Sequence, residues 1–412
     1  MKSERILKNP NTYIHMDISN DTKYKDLITV EHRSNNPKRD YLFVNKQQCK
    51  HIPCSPSNMI EMCKDLANKV NDTLANELPL GAEILVVGFA ETATAIGSIV
   101  AQHLCCKSYI THTTREDVQN SKELLRFEEE HSHATTQKLL TYFDQDTDKF
   151  LSRFSYILFV EDEISTGKTI LNFIEAFKKS GLSSDKNVKF GVASICNWQN
   201  SECKKVYNDN NIDTFYLLSG ELIDTNAKMD IPVNRIYELG NHTSYACTNK
   251  VEMLNLKVEG CLFGSERLGQ WDSHDLTKSL TFGGILDKIL DITDGCDYIR
   301  IIGTEEFMNI PICIGAELEK HGKSVICHAT TRSKIDVMDS QFDGESSGIK
   351  SRCEVNSAYE EDRKTYIYNT SEKTDITLVI SDATDDELFK KAVYSINNSL
   401  MYFGSKVVGI QL

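Results

Sequence analysis

The 412-residue chain is short of proline, with seven, and short of basic charge, with 46 Lys and Arg against 60 Asp and Glu. The net charge of −14 argues against non-specific binding to duplex nucleic acid, whose phosphates must be met by cations. It leaves room for a local basic pocket serving one phosphorylated metabolite. No apolar run is long enough to cross a bilayer: ILVVGFA (84–90) and YILFV (156–160) are only strand-length. The opening residues, MKSERILKNPNTYIHMDISN, lack the apolar core of a secretory signal. The 13 cysteines include no C-x-x-C pair, which disfavours a zinc knuckle or a thioredoxin-like motif, and they read as reduced thiols. No low-complexity segment is present. These absences describe a soluble cytoplasmic globular protein with no nucleic-acid or membrane partner, and the length suggests two domains.

What is present is a repeated strand, turn and helix. Residues 57–78 carry Met59, Met62, Leu66, Val70 and Leu74 at helical spacing. Strands are expected at 41–45, 83–89, 108–112, 156–162, 188–195 and 213–219, with helices at 93–104 and 168–181, the last closed by Gly181. The pattern resumes with strands at 297–303, 323–329 and 375–382 and helices at 308–322 and 385–396. Alternation of this kind predicts an α/β fold of two Rossmann-like, mostly parallel sheets, which bind ligands at the C-terminal ends of their strands. The expected division is an N-terminal arm at 1–35, a first domain at 36–255 and a second at 256–412.

The two halves share landmarks. Gly88-Phe89-Ala90-Glu91 and Gly303-Thr304-Glu305-Glu306 each follow a strand. Thr113-Thr114-Arg115 and Thr330-Thr331-Arg332 each end the next one. Phe127-Glu128 and Phe342-Asp343 come after each Arg, and Asp162 and Asp382 close the series. Matching order and spacing read as an internal duplication. The rival reading is the strand–Gly–helix grammar common to all α/β units. Asp382 is followed by ATDDELF, so the second copy is degenerate: it has no phosphate loop.

The segment FVEDEISTGKT (159–169) carries the chemistry. A buried strand delivers Glu161 and Asp162 to the sheet edge. Ser165, Thr166 and Gly167 then lead into a helix at Lys168-Thr169, a backbone anion nest reinforced by the helix N-terminus. Such a site suits a phosphate monoester beside a diol or a metal. A P-loop requires glycine at position 162, where Asp162 stands and would repel a triphosphate. No Ser/His/Asp nucleophile signature is present.

Hydrophobic strand, acidic pair and Ser/Thr-rich loop resemble the PRPP-binding motif of type I phosphoribosyltransferases. NPKR (36–39), LFV (42–44), KHIP (50–53), GFAETATAIG (88–97), THTTRE (111–116) and FEEEHSHA (127–134) narrow the resemblance. They are similar to the predicted phosphoribosyltransferases of tellurite-resistance and stress gene clusters, whose C-terminal domain is named for a Thr-Arg-Ser-Pro motif. Here that motif reads Thr331-Arg332-Ser333-Lys334. The resemblance implies a transferase fold for the first domain and a Thr-Arg-Ser-Pro-type second domain.

It also implies roles. Glu161 and Asp162 would accept from the ribose 2- and 3-hydroxyls and sit near Mg²⁺, whose hard character suits oxygen ligands. Ser165, Thr166, Gly167, Lys168 and Thr169 would hold the 5-phosphate of PRPP. Ala90, Glu91, Thr92 and Ala93 would form the pyrophosphate loop, with Arg115 as the pyrophosphate cation. The reaction implied is displacement of pyrophosphate at ribose C1 by a nitrogen acceptor, in nucleotide-like metabolism. The other reading is a non-catalytic PRPP- or nucleotide-binding regulator. His131 and His133 are lid or base-contact candidates, or a solvated loop. Lys38, Arg39, Lys50 and His51 are candidates for the acceptor or phosphate side, or ordinary surface cations, and Trp198 is a candidate for stacking on a base, or a core residue. Glu305, Glu306, Arg332 and Asp382 read either as a second site or as relics capping a pseudo-symmetric interface. Family analogy suggests a homodimer, while the duplication could supply a partner domain within one chain.

Overall fold

The structure, a computed structural model, describes residues 4–9, 12–17, 22–33, 39, 41–128, 136–142, 144, 146–179, 188–223, 251–256, 267, 271–272, 284–337, 348–400 and 406–412. His131, His133, Lys38, Gly181, Phe342 and Asp343 lie outside the described residues.

The first half runs β1 (Glu4–Asn9), β2 (Thr12–Asp17), β3 (Ile28–His32), β4 (Tyr41–Asn45), α1 (Pro56–Glu77), β5 (Glu83–Gly88), α2 (Thr94–Gln102) and β6 (Lys107–His112). It continues with β7 (Ser121–Glu128), β8 (Thr136–Tyr142), α3 (Thr147–Leu151), β9 (Phe154–Ile164), α4 (Lys168–Lys179), β10 (Lys189–Asn197), α5 (Ser201–Asp209) and β11 (Ile212–Ile223). Then come β12 (Glu252–Asn255), β13 (Trp271–Asp272), α6 (Ile285–Ile292), β14 (Tyr298–Gly303), α7 (Asn309–Lys320) and β15 (Ser324–Ala329). The chain closes with β16 (Arg352–Asn356), β17 (Lys364–Tyr368), β18 (Ile376–Ser381), α8 (Asp386–Leu400) and β19 (Lys406–Gln411).

The first sheet has the order β1-β2-β11-β10-β9-β5-β6-β13, parallel from β11 to β6, and the second the order β12-β19-β18-β14-β15, parallel throughout. Four strands of each sheet, β10-β9-β5-β6 and β19-β18-β14-β15, therefore repeat one topology, which is the α/β pattern expected from the sequence. The loops repeat too. Ala90 N–H donates to Thr113 Oγ1 at 2.8 Å, as Glu305 N–H does to Thr330 Oγ1 at 3.0 Å. Thr114 bridges to Lys138 in the hairpin β7–β8, and Thr331 to Tyr366 in the hairpin β16–β17.

In the segment expected as an N-terminal arm, β1 and β2 pair with each other and β2 adds antiparallel to β11. The partner strand lies some 200 positions away, so local pattern alone could not reveal the pairing. Near the expected boundary after residue 255 the strands alternate between the sheets. β12 belongs to the second sheet, and β13 returns to the first, antiparallel to β6.

Helices α2 and α7 explain how the halves meet. Residues 94–101 of α2 are all buried, and α7 buries eight of its twelve residues. A helix apolar on every face must be covered on every face. Each lies on its own sheet, and the two pack on each other, with α1 also against α7. One hydrophobic core accordingly contains Ile84, Val86, Ile96 and Ile99 from the first half and Ile299, Ile301, Ile310 and Ile314 from the second.

Three buried histidines sit in this framework. Burial, then the Lys50 charge, holds His51 down at about 3; burial, then Arg267, holds His112 at about 4; burial keeps His328 well below its usual value. Unfolding below about pH 6.5 lets each imidazole take up a proton. Stability is therefore lost as pH falls, by up to about 1.4 kcal/mol per unit for each histidine. Asp162 and Glu116, shifted upward by burial, offset part of this. The expected result is a Tm that is highest near neutrality and declines from about pH 6.5 to 4. A Tm flat over that interval, measured by thermal denaturation, would contradict it.

Candidate functional site

The C-terminal ends of β5, β6 and β9 open onto one cleft with a volume of about 240 Å³. Its lining includes Ala90, Glu91, Thr92, Arg115, Glu161, Asp162, Ser165, Thr166, Gly167 and Thr169. The structure thus gathers the acidic pair, the Ser/Thr loop, the turn after β5 and the expected cation, although they span 80 positions of sequence. Lys168 is exposed at the start of α4, and neither it nor Ala93 lines the cleft.

The loop after β9 is shaped as an anion nest. Gly167 has φ +74°, a left-handed value that a side chain resists, and a Cβ there would stand 2.2 Å from Tyr207 Oη. Tyr207, buried on α5, donates to the Gly167 carbonyl at 2.8 Å and pins the loop from behind. Among the described residues no acceptor takes the backbone N–H of Ser165, Thr166 or Gly167. Those donors and the positive end of α4 point to an anionic ligand. Gly167→Ala should weaken inorganic-phosphate binding by more than tenfold and cost about 1–3 kcal/mol of stability. Calorimetry and chemical denaturation read these; unchanged phosphate binding would remove the nest from the site.

The turn after β5 is held from four directions. Thr113 Oγ1 accepts from Ala90 N–H, Gln137 Nε2 donates to Ala90 O at 3.0 Å, and Gln48 Nε2 donates to Thr92 O at 2.8 Å. The fourth hold is Lys50, whose Nζ lies 2.7 Å from Glu91 Oε1. Burial alone would raise the Glu91 carboxyl, but Lys50 and then Arg332 outweigh it and keep the group ionised, at about 2. The carboxylate's charge is thus cancelled from behind. The N–H groups of Glu91 and Thr92 have no acceptor among the described residues.

At the end of β9 the carboxylates crowd. Burial, and next the Glu163 charge, pushes the Asp162 carboxyl up to about 7, against the hydrogen bond from Thr92. Glu163 was not singled out in the sequence, although it is part of one acidic run with Glu161 and Asp162. It pairs with Arg39 at 2.7 Å and accepts from Trp198 Nε1 at 3.0 Å. Arg39 lies over Tyr41 and Phe43, at 4.5 and 5.2 Å from their ring centroids. Hard oxygen donors and an ionisation resisted by crowding suit a divalent cation held by one or two carboxylates plus ligand oxygens. Among the described residues no group of three His, Cys, Asp or Glu forms a protein-only cage.

The remaining candidates are placed differently. Lys50 and His51 are buried and do not line the cleft: Lys50 is 0% exposed, and its Nζ also donates to Glu305 O at 2.6 Å and Thr330 O at 3.0 Å. Trp198 is 3% exposed and stacks on Phe43 at 4.6 Å, so it is core. Glu305, Glu306 and Asp382 are buried in ion pairs with Arg332, Arg363 and Arg267, and Tyr359 donates to Asp382 at 2.6 Å. They form a polar seam between the halves. Glu306 accepts from Thr114 Oγ1 at 2.6 Å and from Arg115 N–H at 3.1 Å across it. Arg332, by contrast, lines the cleft together with Thr331, Ser333, Arg33 and Leu42. Sequence reasoning assigned Arg332 to its own half, since only the pseudo-symmetry brings it here. In the second half Asp385 Oδ1 accepts from Glu387 and Leu388 N–H at 3.0 and 2.9 Å, so a carboxylate occupies the helix N-terminus that α4 leaves open.

Residues 27–221 match a family model described as phosphoribosyl transferase, and residues 284–396 match the TRSP domain C-terminal to it. No curated protein matches the sequence. Solved structures that resemble the chain include adenine phosphoribosyl transferase from Trypanosoma brucei in complex with AMP, pyrophosphate and ribose-5-phosphate. It is 14% identical, with TM-score 0.33 over 52% of this chain and 86% of that one. Adenine phosphoribosyltransferase from Rhodothermus marinus is 13% identical, with TM-score 0.31 over 47% and 95%. The enzyme from Giardia lamblia complexed with 9-deazaadenine is 12% identical, with TM-score 0.32 over 46% and 93%. No helix among the described residues is long and apolar enough to cross a membrane.

Proposed function

We propose that this chain, whose residues 27–221 and 284–396 match the models of a phosphoribosyl transferase and of the TRSP domain C-terminal to it, transfers the phosphoribosyl group of PRPP to a nitrogen acceptor. The supporting observation is the convergence in one cleft of an anion nest, an acidic pair and a second turn with unused N–H groups. These are the groups that a molecule carrying a phosphate, a diol and a pyrophosphate would need.

Ser165, Thr166, Gly167 and Thr169 bind the 5-phosphate, with Lys168 adding charge at the rim. Glu161 and Asp162 accept from the ribose hydroxyls. Glu91 and Thr92 N–H and the Arg115 guanidinium receive the pyrophosphate, for which a fixed fork is suited. The C1–O bond to pyrophosphate breaks as the C1–N bond forms, and the acceptor nitrogen gives up its proton. Positive charge develops at C1 and negative charge on the leaving group, so catalysis rests on alignment and electrostatic stabilisation. Mg²⁺, held by Glu161 and Asp162, would supply further charge to the pyrophosphate oxygens.

Titration calorimetry with PRPP and Mg²⁺ tests binding, and pyrophosphate release across a panel of nucleobases and other amines tests transfer. Absence of PRPP binding would sink the proposal. Binding without release for any acceptor would make the protein a PRPP-responsive regulator.

A further inference from the structure

We propose that Arg332, from the C-terminal half, is a pyrophosphate-binding residue of the first half's cleft, so that the site is completed across the seam between the halves. The inference rests on the transferase reading and names a residue that this reading does not require.

Three observations converge. The first is position. Arg332 lines the cleft beside the Ala90–Thr92 turn and Arg115, with its Nε 3.7 Å from Glu91 Oε2. The matched loops explain this: Arg115 and Arg332 each follow a Thr-Thr pair at a strand end, and the two loops meet at the seam, where Glu306 accepts from Arg115 N–H and Arg332 pairs with Glu116. The second is the use of its donors. Nε goes to Glu305 at 2.9 Å and Nη2 to Glu116, while no hydrogen bond among the described residues engages Nη1. A guanidinium has five N–H donors in a rigid fork. Two carboxylates fix its plane and leave one edge for a ligand, and the side chain remains 21% exposed. The third is the state of its own half. Asp385 already fills the helix N-terminus that would hold a phosphate there, so Arg332 has no anion site at home.

The geometry also explains why the carboxylates of the seam are needed. Glu116, Glu305 and Glu91 hold the guanidinium in place without covering it, and Lys50 cancels Glu91. Pyrophosphate entering the turn would then meet Arg115 from one half and Arg332 from the other.

The test uses the full chain with Arg332→Gln and Arg332→Lys, titrated with Mg²⁺-pyrophosphate, PRPP and ribose 5-phosphate. Arg332→Gln should bind pyrophosphate and PRPP about 10- to 100-fold more weakly, while ribose 5-phosphate affinity stays within about twofold. Arg332→Lys keeps the charge, guards against misfolding and should give a smaller loss of the same selectivity, because the fork is gone. Equal weakening of all three ligands, or unchanged pyrophosphate affinity in both variants, would make Arg332 a structural ion-pair residue and overturn the proposal. If the unmodified chain binds pyrophosphate in an Arg332-dependent way but not ribose 5-phosphate, the transferase reading falls and this inference stands. If it binds none of the three, both fall.

Discussion

A Glu161→Gln/Asp162→Asn protein is expected to lose PRPP binding by a factor on the order of 10² to 10⁴, while keeping its affinity for inorganic phosphate. Hydrogen bonds to charged groups contribute about 1.5–3 kcal/mol each, and two are removed. The amides keep the shape of the carboxyls and can still accept, but they no longer balance a cation or polarise the ribose hydroxyls. The phosphate nest is built from backbone of the following loop, so it should survive. Calorimetry with both ligands separates the outcomes: PRPP affinity within a few-fold of the original would remove the acidic pair from the site. The double variant should not lose stability, because Asp162 is a crowded carboxyl whose burial already resists ionisation.

Lys50→Met should have the largest effect on folding. Lys50 Nζ donates to Glu305 O and Thr330 O and forms an ion pair with Glu91 at 2.7 Å, and its side chain is fully buried. Removing one partner of a buried pair leaves an uncompensated charge and costs about 3–5 kcal/mol. The loss falls on the contact between the halves, since the lysine belongs to the first and both carbonyls to the second. Adding Glu91→Gln should restore part of it, because the stranded carboxylate is gone while two carbonyls remain unpaired. Urea denaturation of the single and double variants tests this. A single variant as stable as the parent would show that the ammonium holds nothing together.

Much of the central fold was legible. Continuous apolar runs marked β5, β9 and β18, and heptad-like spacing marked α1, whose Met59, Met62, Leu66, Val70 and Leu74 are all buried. The Gly-Lys-Thr segment marked the loop between β9 and α4, because its φ-positive glycine and small neighbours are a local requirement. Topology repeated in both halves, as the paired Thr-Thr-Arg segments suggested. What escaped was set by contacts remote in sequence. β1 and β2 exist because β11 offers an edge. Lys50 and His51 look like surface cations until the second half covers them. The neutralising partners of Glu91 are 41 and 241 positions away, out of reach of any local pattern.

The all-round burial of α2 bears on how the protein can be taken apart. A fragment ending near residue 255 would carry Ile96, Ile99 and Val100 uncovered, and Lys50 without the carbonyls it serves. It would also leave behind Thr331 and Arg332 of the cleft wall. The N-terminal half is thus not an independent cassette: neither expression studies nor domain shuffling can treat the C-terminal half as an appendage.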